Sequence, residues 1–220
     1  MRLWLPDRPG ALGAVAGRIG SCGGDLIGID ILERGEGRVI DELTIDLPDE
    51  DLIPSLLRGV GDLEEVDVED IRSVVAGLPY PLIDPLEVAG SLLSGERVED
   101  LFAAFVAGVG ATFSAWAAVV DPDGPVVLAA TPEAPPAAWL DAFVTGTRAA
   151  ARQLGSATSA NDVAWASLEI SGLALLVGRP GRPFRARERR QLATLSRIAD
   201  HRWRELVVRA GRRAHPANRA

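Results

Sequence analysis

The residues whose types and spacing could hold a ligand lie in a short loop near the start of the chain. The apolar run Leu3–Leu5 predicts a strand, and the loop Pro6-Asp7-Arg8-Pro9-Gly10 follows it. Asp7 could accept hydrogen bonds from the first N–H groups of a following helix, and Gly10 would let a backbone or a ligand approach closely. That helix is predicted by apolar residues at helical spacing, namely Leu12, Val15, Ala16 and Ile19. A helix that begins in this way can bind a carboxylate at its N-terminus.

Residue composition argues against several classes of catalytic site. All 23 basic residues are arginines, so the chain has neither a Schiff-base lysine nor a P-loop lysine. The histidines, His201 and His215, both lie near the C-terminus, which gives little support to a histidine metal site or a Ser-His-Asp triad. The single cysteine, Cys22, excludes an intramolecular disulfide and a cysteine-based zinc site. We therefore expect a protein that is not an enzyme and has no cofactor and no metal.

The expected compartment follows from hydropathy. No apolar run approaches the roughly 18 residues of a transmembrane helix. Met1 leads almost directly into the first predicted strand, which leaves no room for a signal peptide. A cytoplasmic location without membrane association is therefore expected.

The elements that must position the loop follow a β-α-β-β-α-β order over roughly the first 75 residues. Ile27–Leu32 and Val39–Leu47 predict two hairpin-related strands. A second helix should begin near Asp51 or later, because Pro54 is tolerated only in the first turn. Val66 and Val68 predict the last strand. This order is the ferredoxin-like arrangement.

The segment Asp7-Arg8-Pro9-Gly10-Ala11-Leu12 resembles the D-R-P-G-x-L signature of the ACT domain. This family regulates amino-acid metabolism and commonly binds amino acids. The resemblance implies an ACT domain over residues 1–76 that pairs with a second copy. It also implies an effector held between the first-strand loop of one domain and the second-strand start of its partner. Carried over by position, the implied ligand-binding residues are Leu5, Asp7, Gly10, Ala11, Leu12, Asp25, Leu26 and Ile27.

In this reading the carboxylate of an amino acid meets N–H groups near Gly10 to Leu12, and its ammonium meets Asp7 or Asp25. A zwitterion needs both kinds of partner. The alternative is that Asp7 only caps the helix and Gly10 only permits close packing, because many ACT domains merely pair with one another.

Proline density indicates a linker over residues 77–85, a second domain over 86–210 and a tail over 211–220. The predicted elements of the second domain are helices over Leu86–Leu93, Val98–Val109, Ala137–Leu154 and about Ala186–Arg209, and strands over Ala115–Val120, Val126–Ala130, Val163–Ile170 and Leu173–Gly178. The run Gly172–Arg179, followed by Pro183, Phe184 and Glu188, resembles the end of a GAF domain. The chromophore cysteine and the N-K-F-D-E signature of that family are absent, so its best-known ligands are not implied. The expected fold class is therefore α+β, with a ferredoxin-like ACT domain followed by a GAF-like α+β domain.

Three further groups of residues have alternative readings. Asp41, Glu42 and Asp46 could do acid–base work or bind a hard cation, but a solvated strand edge is favoured. The arginines between Arg182 and Arg190 could contact phosphates, but no nucleic-acid module accompanies them, so a solvated face or contact with the acidic first domain is favoured. The tryptophans at 116, 139 and 165 could line a pocket or belong to the core.

The sequence thus predicts a non-catalytic regulatory homodimer that senses a small molecule, an amino acid, through paired ACT domains. The alternative is a regulatory or structural subunit that binds a metabolic enzyme and has no ligand of its own. Neither a membrane nor a nucleic acid is an expected partner.

Overall fold

The computed structural model describes residues 1–73, 83–124, 126–154 and 162–214. Over these ranges the chain is a mixed α+β protein with two four-stranded antiparallel sheets and six α-helices. The described residues separate into two compact units, the first made of residues 1–73 and 185–187 and the second of the others. None of the helices in the described ranges has the length and apolar character to span a membrane.

The first unit contains one sheet and two helices. Its elements are β1 (Arg2–Pro6), α1 (Ala11–Ser21), β2 (Asp25–Gly35), β3 (Arg38–Asp46), α2 (Ile53–Gly61) and β4 (Asp67–Asp70). The order in the sheet is β2-β3-β1-β4, so β2 and β4 are the edge strands. Helix α2 follows a 3-10 turn capped by the Asp49 side chain, and Pro54 lies in its first turn, which confirms the predicted start.

Both helices of the first unit pack on the same face of its sheet. Val15 and Ile19 of α1 and Leu56 and Val60 of α2 are buried against strand residues, namely Leu3, Leu5, Val39 and Leu43. Alternate strand positions therefore form the core, as the period of two residues requires.

The second unit contains one sheet with helices on both faces. Its elements are α3 (Ile83–Ser94), α4 (Val98–Phe113), β5 (Trp116–Asp121), β6 (Val126–Ala130), α5 (Ala137–Leu154), β7 (Val163–Leu168), β8 (Leu173–Gly178) and α6 (Ala186–Ala214). The strand order is β6-β5-β8-β7. Phe105 of α4 and Leu195 of α6 pack on one face with Leu175, whereas Leu140 of α5 packs on the other face with Leu176. Strand β8 is buried at every position because both faces are covered.

Several predicted boundaries differ from the structure. Helix α3 begins at Ile83, inside the predicted linker, because Pro85 in the first turn needs no N–H partner. Strand β7 ends at Leu168 and not at Ile170, because residues 169–172 turn into β8. Helix α6 continues to Ala214, so residues 211–214 are not a tail, and arginine at 212 is favourable near a helix C-terminus. The remaining predicted linker, 77–82, and the remaining tail, 215–220, lie outside the described residues.

The residues that carry the GAF resemblance have a structural role in this unit. The Arg179 guanidinium donates hydrogen bonds to the Phe113 carbonyl at 2.9 Å and to the Glu188 carboxylate at 2.6 Å. It also donates to the Pro183 carbonyl and lies 4.1 Å from the centroid of the Phe184 ring. Arg179 and Glu188 are both buried. Through its bonds to Phe113 and Glu188, the Arg179 guanidinium links the end of α4 to the start of α6. Among the arginines from 182 to 190, the expectation of a solvated face is wrong for Arg182, because that side chain is buried.

A second buried carboxylate links α6 to the turn between β7 and β8. Asp200 accepts hydrogen bonds from the backbone N–H groups of Ile170 at 2.7 Å and Ser171 at 3.0 Å. The Asp200 side chain thus satisfies two N–H groups that the turn leaves without a ladder partner.

Candidate functional site

The loop between β1 and α1 is tied to the hairpin between β2 and β3. The Asp7 N–H donates to the Gly37 carbonyl at 2.8 Å, and the Ala11 N–H donates to the Arg8 carbonyl at 3.3 Å. Gly10 is the N-cap residue of α1 and has a φ of +90°, a conformation that residues with a Cβ rarely adopt. A Cβ at Gly10 would have no other atom within 4 Å. The backbone conformation therefore requires glycine at this position. The prediction that Gly10 permits close packing is wrong within a single copy, because no atom lies near enough to meet a Cβ there.

The N-terminus of α1 begins without a side-chain cap. The N-cap residue is a glycine and supplies no side-chain hydrogen bond, and the first turn contains no acidic residue. The prediction that Asp7 caps α1 is wrong, because the N-cap position falls three residues later, at Gly10. The first N–H groups of any helix lack a carbonyl partner one turn earlier. The Ala11 N–H already donates to the Arg8 carbonyl, so the remaining donors of the first turn of α1 lie at the positive end of the helix dipole.

The predicted ligand-binding residues differ in exposure. Leu5 and Ala11 are buried in the core, so only their backbone groups can meet a ligand. Leu12 and Leu26 are half-buried against that core. Asp7, Gly10, Asp25 and Ile27 are exposed.

One copy of the chain does not bring the two predicted groups of site residues together. The group Asp7–Leu12 includes the start of α1, whereas Asp25–Ile27 follows the end of α1 and opens β2. Helix α1 has 11 residues, so its two ends lie about 16 Å apart at 1.5 Å per residue. These groups can form a single site only if a second copy contributes one of them.

Strand β2 presents an apolar edge that could receive a second copy. It pairs with β3 on one side and lies at the edge of the described sheet on the other. Three isoleucines of β2 are exposed by 44%, 47% and 43%, namely Ile27, Ile29 and Ile31. A long edge strand with apolar side chains is a template for pairing with another chain.

Asp41 is a residue of this unit whose burial the sequence analysis missed. It lies in β3 directly opposite Leu3 of β1 and Ile31 of β2, and only 4% of its surface is exposed. No hydrogen-bond donor among the described residues reaches its Oδ1 atom. Burial raises the pKa of the Asp41 carboxyl, the Arg34 guanidinium lowers it, and the Asp7 carboxylate raises it.

The expectation of a solvated edge is thus wrong for Asp41, and a signal for its burial was present. Asp41 lies midway between Val39 and Leu43, on the face that both of these residues bury. Its neighbour Glu42 points to the other face and accepts a hydrogen bond from Arg2 at 3.4 Å.

The second unit contains a cavity of about 800 Å³ between α4 and β6. Small side chains of α4, such as Ala103, Ala107 and Ala111, form one wall, and Leu128 and Trp116 contribute to the other. Of the two readings of the tryptophans, the core reading is confirmed for Trp116 and Trp165, which pack against the core of this unit, and Trp116 also lines this cavity. A smaller cleft of about 350 Å³ lies on α6 beside His201.

No group of three metal-ligating side chains occurs among the residues that the structure describes. Comparison with known proteins found no matching family model, no similar curated protein and no similar solved structure.

Proposed function

We propose that this protein is a non-catalytic regulator that senses an amino acid through a pair of ferredoxin-like ACT domains, one from each copy in a homodimer. The observation that carries the proposal is that the predicted site residues lie in two groups, one at each end of α1, next to the exposed apolar edge of β2. The β-α-β-β-α-β order with strand order β2-β3-β1-β4 and both helices on one face supports the ferredoxin-like assignment.

Pairing of two β2 edges would complete the site. A two-fold antiparallel pairing centred on Asp30, the midpoint of β2, sets Asp25 of one copy opposite Gly35 of the other. Gly35 lies close to the β1–α1 loop, because Asp7 is bonded to Gly37. The same pairing sets the exposed Ile29 of one copy opposite the exposed Ile31 of the other. Both the buried apolar area and the completed ladder would stabilise the pair.

The completed site has the charges that an amino acid requires. The N–H groups at the start of α1 would bind the ligand carboxylate, and Asp7 together with Asp25 of the second copy would bind its ammonium. We propose binding alone for this arrangement. The second unit would relay the signal or add to the dimer.

The proposal is tested by measuring thermal unfolding of the purified protein with each of the twenty standard amino acids. We expect one or a few of them to raise the unfolding temperature, because a ligand that binds the native state stabilises it by mass action. Asp7→Asn and Asp25→Asn should each remove the shift, whereas Glu169→Gln, an exposed carboxylate of the second unit, should keep it. A folded dimer that no amino acid stabilises would overturn the sensor.

A regulatory subunit that binds a metabolic enzyme and has no ligand is the second candidate. It is favoured by a different surface, the edge of β6, where Val126 and Leu128 are exposed beside the cavity of the second unit. In that case no amino acid shifts the unfolding temperature. Substitution of Leu128 by Arg would instead weaken binding to a purified enzyme partner, measured by calorimetry.

A further inference from the structure

We infer that Asp41 is a ligand-binding carboxylate that receives a protonated amine of the molecule bound at the N-terminus of α1. This inference rests on the proposed function. It adds to the proposed site a residue outside the Asp7–Leu12 motif and outside the ligand-binding positions that the ACT resemblance implies. The shared chemistry is an ammonium group, whether it is the α-ammonium or the side-chain ammonium of the ligand.

The first argument is the position of Asp41 in the sheet. Directly opposite residues of an antiparallel pair lie on the same face, so Asp41 shares a face with Leu3 and Ile31. Leu3 packs against Val15 of α1, so this is the face on which α1 lies. Ile31 is exposed at the edge of the sheet, so Asp41 lies one strand in from an accessible edge.

The second argument is that the carboxylate is buried without a complete set of partners. Buried carboxylates are ordinarily paired or hydrogen-bonded, because loss of hydration is costly. Within the described ranges, Asp41 Oδ1 accepts no hydrogen bond. A ligand ammonium would supply the missing donor.

The third argument is the charge around Asp41. The charged groups that act on it are the Arg34 guanidinium and the Asp7 carboxylate. Asp7 belongs to the loop that leads into α1, and it is one of the residues proposed to bind the ligand ammonium. Asp41 therefore interacts electrostatically with a residue of the proposed site. Arg34 is exposed and can turn towards solvent, whereas Asp41 cannot. The Asp7 and Asp41 carboxylates therefore both favour a cation in this part of the first unit.

The test compares amino-acid binding by the wild-type protein, Asp41→Asn and the control Glu169→Gln. Asparagine has nearly the shape of aspartate and removes the charge, so we expect the variant to fold. The probes are the twenty standard amino acids and 6-aminohexanoate, which has a carboxylate and a distal amine but no α-ammonium. We expect at least tenfold weaker binding to Asp41→Asn for the amino acid that stabilises the wild type, with Glu169→Gln unchanged.

The outcomes separate this inference from the proposed function. Equal binding by wild type and Asp41→Asn would overturn the role of Asp41 and leave the sensor intact. No binding by the wild type would overturn both. If Asp41→Asn loses amino-acid binding, 6-aminohexanoate tells which ammonium Asp41 receives. Binding of 6-aminohexanoate by the wild type identifies a side-chain ammonium, and failure of the wild type to bind it identifies the α-ammonium. Either result supports the inference.

Discussion

At the scale of single residues, Gly10 and Asp41 of the first unit differ in whether a sequence motif marks them. Gly10 lies in a recognisable motif, and the structure shows that its backbone conformation is what demands glycine. Asp41 lies in no motif, and its burial follows only from the strand on which it lies. Stability measurements on both residues therefore test the structure independently of any ligand.

Replacement of Gly10 by alanine should lower the free energy of unfolding by about 1 kcal/mol, because a left-handed conformation is costly for a residue with a Cβ. The matched control is Gly13→Ala in the same helix. Gly13 is exposed and has ordinary helical geometry, and a Cβ added there would meet no other atom within 4 Å. That control should raise the free energy of unfolding by up to about 1 kcal/mol. Urea denaturation of the two variants measures the difference, and equal effects would contradict the observed φ at Gly10.

Asp41→Asn should change how stability depends on pH in the ligand-free protein. The pKa of Asp41 is raised in the folded state, so the native protein binds this proton more tightly than the unfolded chain does. The contribution of Asp41 to stability therefore falls as pH rises from the ordinary aspartate value of 3.8 to the raised value, and it stays low above that.

We accordingly expect Asp41→Asn to be more stable than the wild type at neutral pH, by about 1 kcal/mol, with the difference vanishing in acid. Unfolding by urea at a series of pH values measures it. A variant that is less stable than the wild type at neutral pH would show that Asp41 has a stabilising partner.

At the scale of secondary-structure elements, buried polar groups hold the second unit together at its turns. Arg179 and Glu188 link α4 to α6, and Asp200 links α6 to the turn between β7 and β8. Hydrophobic periodicity predicted that these elements exist, but it did not predict these links, because each joins residues far apart in sequence. The motif that resembles a GAF domain is explained here by packing and hydrogen bonding.

Asp200→Ala should lower the free energy of unfolding by about 2–3 kcal/mol, because two partly buried N–H groups lose a charged acceptor. Glu169→Ala, in the same turn but exposed, is the control and should change stability by less than about 0.5 kcal/mol. Thermal and urea unfolding measure both variants. A small effect of Asp200→Ala would mean that water replaces the carboxylate in the turn.

At the scale of the whole molecule, the proposed function depends on a second copy. A single chain separates Asp7 from Asp25 by the length of α1 and exposes the isoleucine row of β2. Both features are accounted for if two β2 edges pair. This pairing sets Asp30 of one copy opposite Asp30 of the other, but each of these carboxylates forms an ion pair with Arg187, which offsets their repulsion.

The purified protein should therefore have twice the mass of the chain in solution, and its unfolding temperature should rise with protein concentration. Ile29→Arg should shift it to a monomer, because it places a charged side chain directly opposite Ile31 of the second copy. Leu86→Arg replaces an exposed leucine of the second unit and should leave the mass unchanged. Light scattering after gel filtration reports these masses. A wild-type monomer at every concentration would exclude pairing through β2.

The sequence by itself determined the α+β class, the order of the elements and the start of α2, because hydrophobic period, glycine and proline act over a few residues. It also pointed to the β1–α1 loop, since that motif is contiguous. Only the tertiary structure decided that β2 lies at the edge of the sheet, that no donor among the described residues reaches Asp41 Oδ1 and that Arg179 pairs with Glu188. These facts depend on strand register and on which helix covers which face, and such relations join residues that are distant along the chain.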